Sequence, residues 1–340
     1  MKKKILILGL IVASCFIAVC YVMDMLIIGI SIVILSLVCA MLIMFANKLV
    51  KRTNWYRNVP LDANNFPTND WYREHEERNY NMVVLGSSSA KYAFDFDGID
   101  IKVFNWADQP QSLDYSFRIL KNFFSILEKN GKVVISLSPL SGLNVIGKWS
   151  KCANDKYYVL LDSTLIDNYN EVSKRRRFPL LYTPKEAIKR LLKDVPAKTN
   201  TVWTRSDTID FEKDASVWVH NWFKEFNIQN AEEDLSTENK QGRAYRVKLL
   251  QSMIDFCLER DLKPVLVIPP IHHALANKFT PVFRENYIYS FIKEANIKNI
   301  PFYDYMDDSR FSDDKYYMNS FFMSEEGAKK FTRIILNDLQ

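Results

Sequence analysis

Metal-ligand spacings and nucleotide-binding loops are missing from this sequence of 340 residues, and no cleavable leader is expected. Its five cysteines and four histidines form no C-x-x-C pair or other zinc-type spacing, so a structural zinc site is not expected. Cys15, Cys20 and Cys39 fall in apolar runs, where cysteine behaves as a small hydrophobe. Only Cys152 and Cys257 lie beyond them, and no disulfide between the two is expected. Neither G-x-G-x-x-G nor G-K-[ST] follows an apolar strand, which removes the usual phosphate-cradling turns. Internal repeats and low-complexity segments are absent beyond residue 53. The formal charge of +5 is spread along the chain. Its one dense basic run, starting at Lys174, has no nucleic-acid motif around it and reads as a solvated face or a contact for anionic lipid or polymer.

What the chain has in quantity is apolar residues, at 48%, against 25% charged, which excludes disorder and allows a full core. They are concentrated at the start. An apolar run spans Ile5 to Met23, Asp24 interrupts it, and a second runs from Met25 to Ala46. Each is long enough to cross a hydrocarbon core of about 30 Å, and each is too long for a signal peptide. Residues 1–52 are therefore expected to form a transmembrane hairpin, with residues 53–79 as linker. Lys2 to Lys4 and Lys48, Lys51 and Arg52 flank its outer ends, so the charge rule places both ends in the cytoplasm. If only one run spans, the remaining domain lies on the other side.

From residue 80 onward strand and helix patterns alternate. Strands are expected at 82–86, 102–106, 132–138, 264–269 and 300–305, and helices near 112–128, 241–259, 275–294 and 324–338. Strands that are apolar throughout, separated by amphipathic helices, imply a parallel sheet covered on both faces, an α/β three-layer fold. Residues 150–240 break the rhythm and read as an inserted helical lobe. Within it, Thr183, Pro184 and Glu186 carry the pattern of an N-cap, a first helical position and a capping box.

The stretch "NMVVLGSSSAKYAFDFD" (81–97) runs a strand into a turn with three serines. At the carboxyl edge of a parallel sheet that is where ligands bind, and Gly86 permits a tight turn. The serines can equally cap the next helix. Together with "FNWADQPQSLDYSFRILKNF" and "YMNSFFMSEEGAKKFTRIILNDL", this stretch resembles the SGNH (GDSL-like) hydrolase superfamily over residues 80–340. Within it, the chain resembles the membrane-tethered bacterial branch near D-alanine transfer proteins and polysaccharide-locus acyltransferases. The resemblance implies a flavodoxin-like fold with Ser88 as nucleophile, Gly86 and Ser87 before it, and Asn105 and Asn144 as oxyanion or substrate-binding groups. The family's terminal Asp-x-x-His falls on Asn319 and Phe322, neither of which can serve. His272 and His273, just past the fourth strand, are the substitute bases, or else one caps the following helix and the other lies on the surface.

Asp304, Asp307, Asp308, Asp313 and Asp314 follow, without the alternate spacing and central glycine of a calcium loop. An acidic, solvated loop is expected there, its tyrosines either packing or stacking on sugars. Two functions remain open. One is a bacterial membrane-anchored esterase or O-acyltransferase of envelope or capsular polysaccharide. The other is an inactive SGNH-like domain that binds a glycan or an assembly partner. The partners implied are the bilayer, a polysaccharide or teichoic-acid-like polymer and a membrane-bound acyltransferase; no nucleic acid, metal or cofactor is expected. The resemblance favours an extracytoplasmic domain, against the charge rule.

Overall fold

The computed structural model describes residues 14–19, 21–22, 25–53, 56, 79–143, 157–158, 160–193, 209–228 and 235–340. Residues 14–19 and 21–22 are helical, but most of the first apolar run and Asp24 lie outside the described residues, as do Asn144 and most of the 53–79 linker. The chain divides into two compact units, residues 1–58 with 170–197, and residues 59–169 with 198–340.

The first unit is built on α1 (Leu26–Val50), an apolar helix of 25 residues. At 1.5 Å per residue it is about 37 Å long, enough to cross a bilayer. Nearly all its side chains face outward, which a soluble core helix would not tolerate. Its C-terminal end is covered: Asn47, Val50 and, just past the helix, Thr53 are buried. The cover comes from α5 (Pro179–Tyr182) and α6 (Pro184–Leu192), which follow α4 (Tyr169–Arg177), a helix that starts at the unit boundary. The Leu180 N–H donates to Asn47 Oδ1 at 3.1 Å. Arg176 donates to the Tyr56 carbonyl at 2.5 Å, and the Tyr56 hydroxyl donates to the Arg176 carbonyl at 2.6 Å. Pro184 does open α6, but the capping box does not form. Thr183 Oγ1 donates back to the Pro179 carbonyl at 3.0 Å, and Glu186 pairs forward with Arg190 at 2.6 Å.

In the second unit, β1 (Tyr80–Leu85), β2 (Val103–Asn105), β3 (Leu127–Ser136), β4 (Lys263–Ile268) and β5 (Phe302–Asp304) form one all-parallel sheet in the order β2-β1-β3-β4-β5. Val83, Val84 and Leu85 are fully buried, and so are Leu266, Val267 and Ile268, as a sheet covered on both faces requires. Helices α2 (Ser88–Ala93), α3 (Leu113–Phe123), α7 (Phe211–Phe226), α8 (Thr237–Leu258), α9 (His273–Ala276) and α10 (Glu325–Asp338) belong to this unit. α8 buries Leu250, Met253, Ile254 and Cys257, the spacing of one helical face. Burial pushes the Cys257 thiol up to about 12.

Helix boundaries moved where local chemistry intervened. The helix expected over 275–294 is broken after Ala276 and restarts at Thr280, whose hydroxyl accepts the Phe283 N–H at 3.2 Å while Pro281 takes the first position. A π-helical turn, Arg284–Tyr289, then precedes Ser290–Ala295. The helix expected over 112–128 stops at Phe123 because β3 begins at Leu127, opposite Tyr80.

Candidate functional site

β1 ends at Leu85, and three residues later the chain is already helical. Gly86 makes this turn feasible: a Cβ there would lie 2.6 Å from Ala90 Cβ and 3.1 Å from Ser136 Cβ. Ser87 is the extended N-cap residue and Ser88 the first residue of α2, half-buried, with no hydrogen-bond partner for its hydroxyl among the described residues. Ser89 is buried, its hydroxyl 3.5 Å from that of Ser87. The N–H groups of this first helical turn have no intrahelical acceptors, so they can serve an anion or oxyanion in principle.

The turn is held by a residue that the sequence did not single out. Buried Gln111 directs its amide nitrogen to the carbonyls of Gly86 (3.0 Å) and Trp106 (2.9 Å) and to Ser116 Oγ (3.1 Å), while its carbonyl accepts the Tyr157 hydroxyl at 2.9 Å. Asn105 is committed to the same scaffold. Its Oδ1 accepts the Ala107 N–H at 3.0 Å, and its amide donates to the Ala90 carbonyl at 3.4 Å. Lys91 and Asp108 pair across the turn at 2.9 Å.

Strand order places this turn where the winding of the sheet reverses, between β1 and β3, which is the binding crevice of open α/β sheets. Among the described residues, Ser136 Oγ at the end of β3, next to the Gly86 turn, and Trp106 Nε1 just past β2 are buried without a hydrogen-bond partner. Buried polar groups left unpaired cost stability and are uncommon, so Ser136, beside the turn, is a ligand-side candidate.

α10 packs along α2, with the Asp95 N–H donating to Thr332 Oγ1 at 2.9 Å. The segment before α10 carries Phe322 against the turn helix: its ring lies 4.8 Å from that of Tyr92, and Tyr92 is one helical turn on from Ser88 on the same face. Trp218 of α7 closes over it at 5.6 Å. Asn319 Oδ1 accepts the N–H groups of Phe321 and Phe322 at 2.9 and 2.8 Å, a turn-forming role. Beside it, the Ser320 hydroxyl and N–H both donate to Asp214 Oδ2, at 2.5 and 2.8 Å.

His272 lies past β4 at the same edge, buried, and stacked on Phe211 at 3.9 Å. Its Nδ1 accepts the Ala274 N–H at 3.1 Å, capping α9, and its Nε2 lies 3.0 Å from Asp314 Oδ1. A neutral imidazole has one lone pair and one N–H, so the cap fixes the proton on Nε2, where it donates to Asp314. Burial holds the pKa below its ordinary value and keeps the ring neutral. In this arrangement His272 has no lone pair left to take a proton from Ser88. His273 is exposed, its ring 4.1 Å from that of His272, with no hydrogen bond to its side chain among the described residues.

His272, His273 and Asp314 bring ligand-type atoms within 4.8 Å of one another. The same tautomer argues against a cation there, since ligation through Nε2 would move the proton to Nδ1 and break the α9 cap. The remaining aspartates are also spoken for. Asp308 and Asp313 cap short 3-10 turns, Asp307 pairs with Arg284 at 3.0 Å, and Asp304 accepts the Tyr289 hydroxyl at 2.7 Å. Of the tyrosines nearby, Tyr317 is buried, and burial raises its pKa. Compared with known proteins, the chain matches no family model and no curated sequence.

Proposed function

We propose that this chain is a membrane-anchored, SGNH-like protein of bacterial envelope or capsular polysaccharide work, and that it binds a glycan or an assembly partner instead of turning over an acyl ester. The observation that carries the reading is Phe322 packed on Tyr92, one helical turn from Ser88, at the position where the family's histidine would stand. The sheet order supports a flavodoxin-like three-layer fold, and the Gly86 turn into Ser88 supports the superfamily's serine elbow. Both ring nitrogens of His272 are committed elsewhere, and a serine without an activating base is a weak nucleophile near neutral pH. The unpartnered Ser136 hydroxyl beside the Gly86 turn suits a ligand that brings hydroxyls, as a sugar does. α1 supports attachment to the bacterial membrane; Lys48, Lys51 and Arg52 at its end favour the cytoplasmic side, and the family resemblance favours the outer one.

A second reading, an esterase or O-acyltransferase acting through Ser88, is favoured by one observation: His273 keeps an imidazole free of hydrogen bonds. Fluorophosphonate labelling of the full-length protein in detergent separates the two. The wild type is expected to stay unlabelled, and the double variant Asn319→Asp/Phe322→His to gain labelling that Ser88→Ala removes. Labelling of the wild type at Ser88, lost in His273→Ala, overturns the binding reading in favour of the enzyme.

A further inference from the structure

The helices that cover the end of α1 leave a second apolar surface uncovered. Leu181 is 72% exposed and Leu192 is 78% exposed, with Tyr182 and Ile188 about half exposed between them. On α6 the buried side is Ala187, while Ile188 and Leu192 follow each other at i and i+4 on the outward side. Lys185 and Lys189 flank that stripe, and Lys174 and Arg177 extend from the end of α4. Only Glu171 and Glu186 are acidic within residues 170–193, and Glu186 is already paired with Arg190.

We infer that residues 174–192 form an interfacial seat in which Leu181, Ile188 and Leu192 enter the acyl boundary of a bilayer while the surrounding lysines and arginines engage anionic headgroups. Three observations select this occupant. The surface belongs to the same unit as α1 and is fixed to its C-terminal end through Asn47 and Val50, which is where a spanning helix of this length leaves the hydrocarbon. Exposed leucines bordered by cations are the composition of a helix lying in the membrane plane, with a partly exposed Tyr182 at headgroup depth. The positive charge complements an anionic leaflet, where each added cation strengthens attachment. The inference rests on α1 being inserted, and its test reads that condition separately.

Single cysteines would be placed at Leu37, Leu181 and Leu192 of the full-length chain, with Cys15, Cys20, Cys39 and Cys152 replaced by alanine. Buried Cys257, with its thiol raised to about 12, would be left in place. Bimane labels would be read in vesicles containing phosphatidylglycerol, against doxyl-labelled lipids and aqueous iodide. The expected result is loss of emission to the lipid quencher at all three sites, shallow at Leu181 and Leu192 and deep at Leu37. That loss should weaken at Leu181 and Leu192, not at Leu37, in neutral phosphatidylcholine vesicles or when Lys174, Arg177, Lys185 and Lys189 are changed to glutamine. Quenching of Leu192 by iodide alone while Leu37 stays lipid-quenched overturns the seat and leaves the membrane anchor standing. Protection of Leu192 from both quenchers, lost on dilution of protein in lipid, assigns the surface to a second copy and overturns it too. Equal lipid quenching in neutral vesicles overturns the headgroup assignment. Absence of lipid quenching at Leu37 removes the anchor and the seat together.

Discussion

His272 has two ring nitrogens and the fold uses both, one to cap α9 and one to hold Asp314. Its pKa is lowered mainly by burial, so the unfolded chain binds a proton on this residue at a higher pH than the folded chain does. The folded state is therefore favoured above about pH 6.5 and loses that advantage as the pH falls through this value toward the lower folded pKa. The melting temperature of the wild type should drop more on acidification than that of His272→Asn, which retains a capping oxygen and cannot titrate; equal drops in thermal melts followed by circular dichroism would contradict this. The sequence made His272 visible as a histidine beyond a strand end. It could not show which lone pair was spent, because Asp314 lies 42 positions away and the cap depends on where α9 starts. Gln111 was less legible still, since its acceptor at Gly86 is 25 positions back and nothing in "DQPQS" separates it from an ordinary loop residue.

β1 and β4 form where continuous apolar runs placed them, because a strand buried on both faces leaves a composition that no other element of that length requires, whereas β3 begins five residues before its apolar run, at Leu127. Helix ends were less readable. Thr183-Pro184-x-Glu186 has every residue of a capping box, yet a carbonyl at Pro179 and a guanidinium at Arg190 compete for the same side chains. The start of α10 shows the opposite case, where one residue leaves no alternative. Ser324 caps it by accepting the Gly327 N–H at 3.2 Å, and a Cβ at Gly327 would lie 2.1 Å from the Tyr316 carbonyl oxygen. Because that neighbour is backbone, Gly327→Ala must displace either α10 or the 316–323 segment that delivers Phe322 to α2. A loss of about 1–3 kcal/mol is expected for such overpacking, measured by denaturant unfolding in detergent, together with weakened packing of the Tyr92–Phe322 pair. A variant as stable as the wild type would mean that the segment yields freely.

The chain passes between its two units three times, near residues 58, 169 and 197. This matters for any attempt to obtain the sheet alone. A fragment starting at residue 54 keeps α4, α5 and α6 but removes the helix end that α5 and α6 cover. The Leu180 N–H then loses Asn47 Oδ1, and surface that faced Val50 joins the exposed Leu181 and Leu192. Such a fragment should elute as aggregate without detergent. Replacing residues 170–197 in it by a flexible glycine–serine linker of similar length should give a monodisperse species with the same far-ultraviolet signature of the sheet. A monodisperse 54–340 fragment would show that the three helices do not depend on α1. Sequence alone placed all of 150–240 in one inserted lobe, because helical composition does not reveal which partner a helix buries its face against.

The bond between Asn47 and Leu180 also carries a schedule. Its partners are separated by 133 residues, and a ribosome adding about 5–20 residues per second needs roughly 7 to 27 s to supply the second after the first. Throughout that interval α1 exists without its cover. The helix must commit to its surroundings before the chain has made the residues that cap it, so nascent α5 and α6 arrive at an α1 already formed.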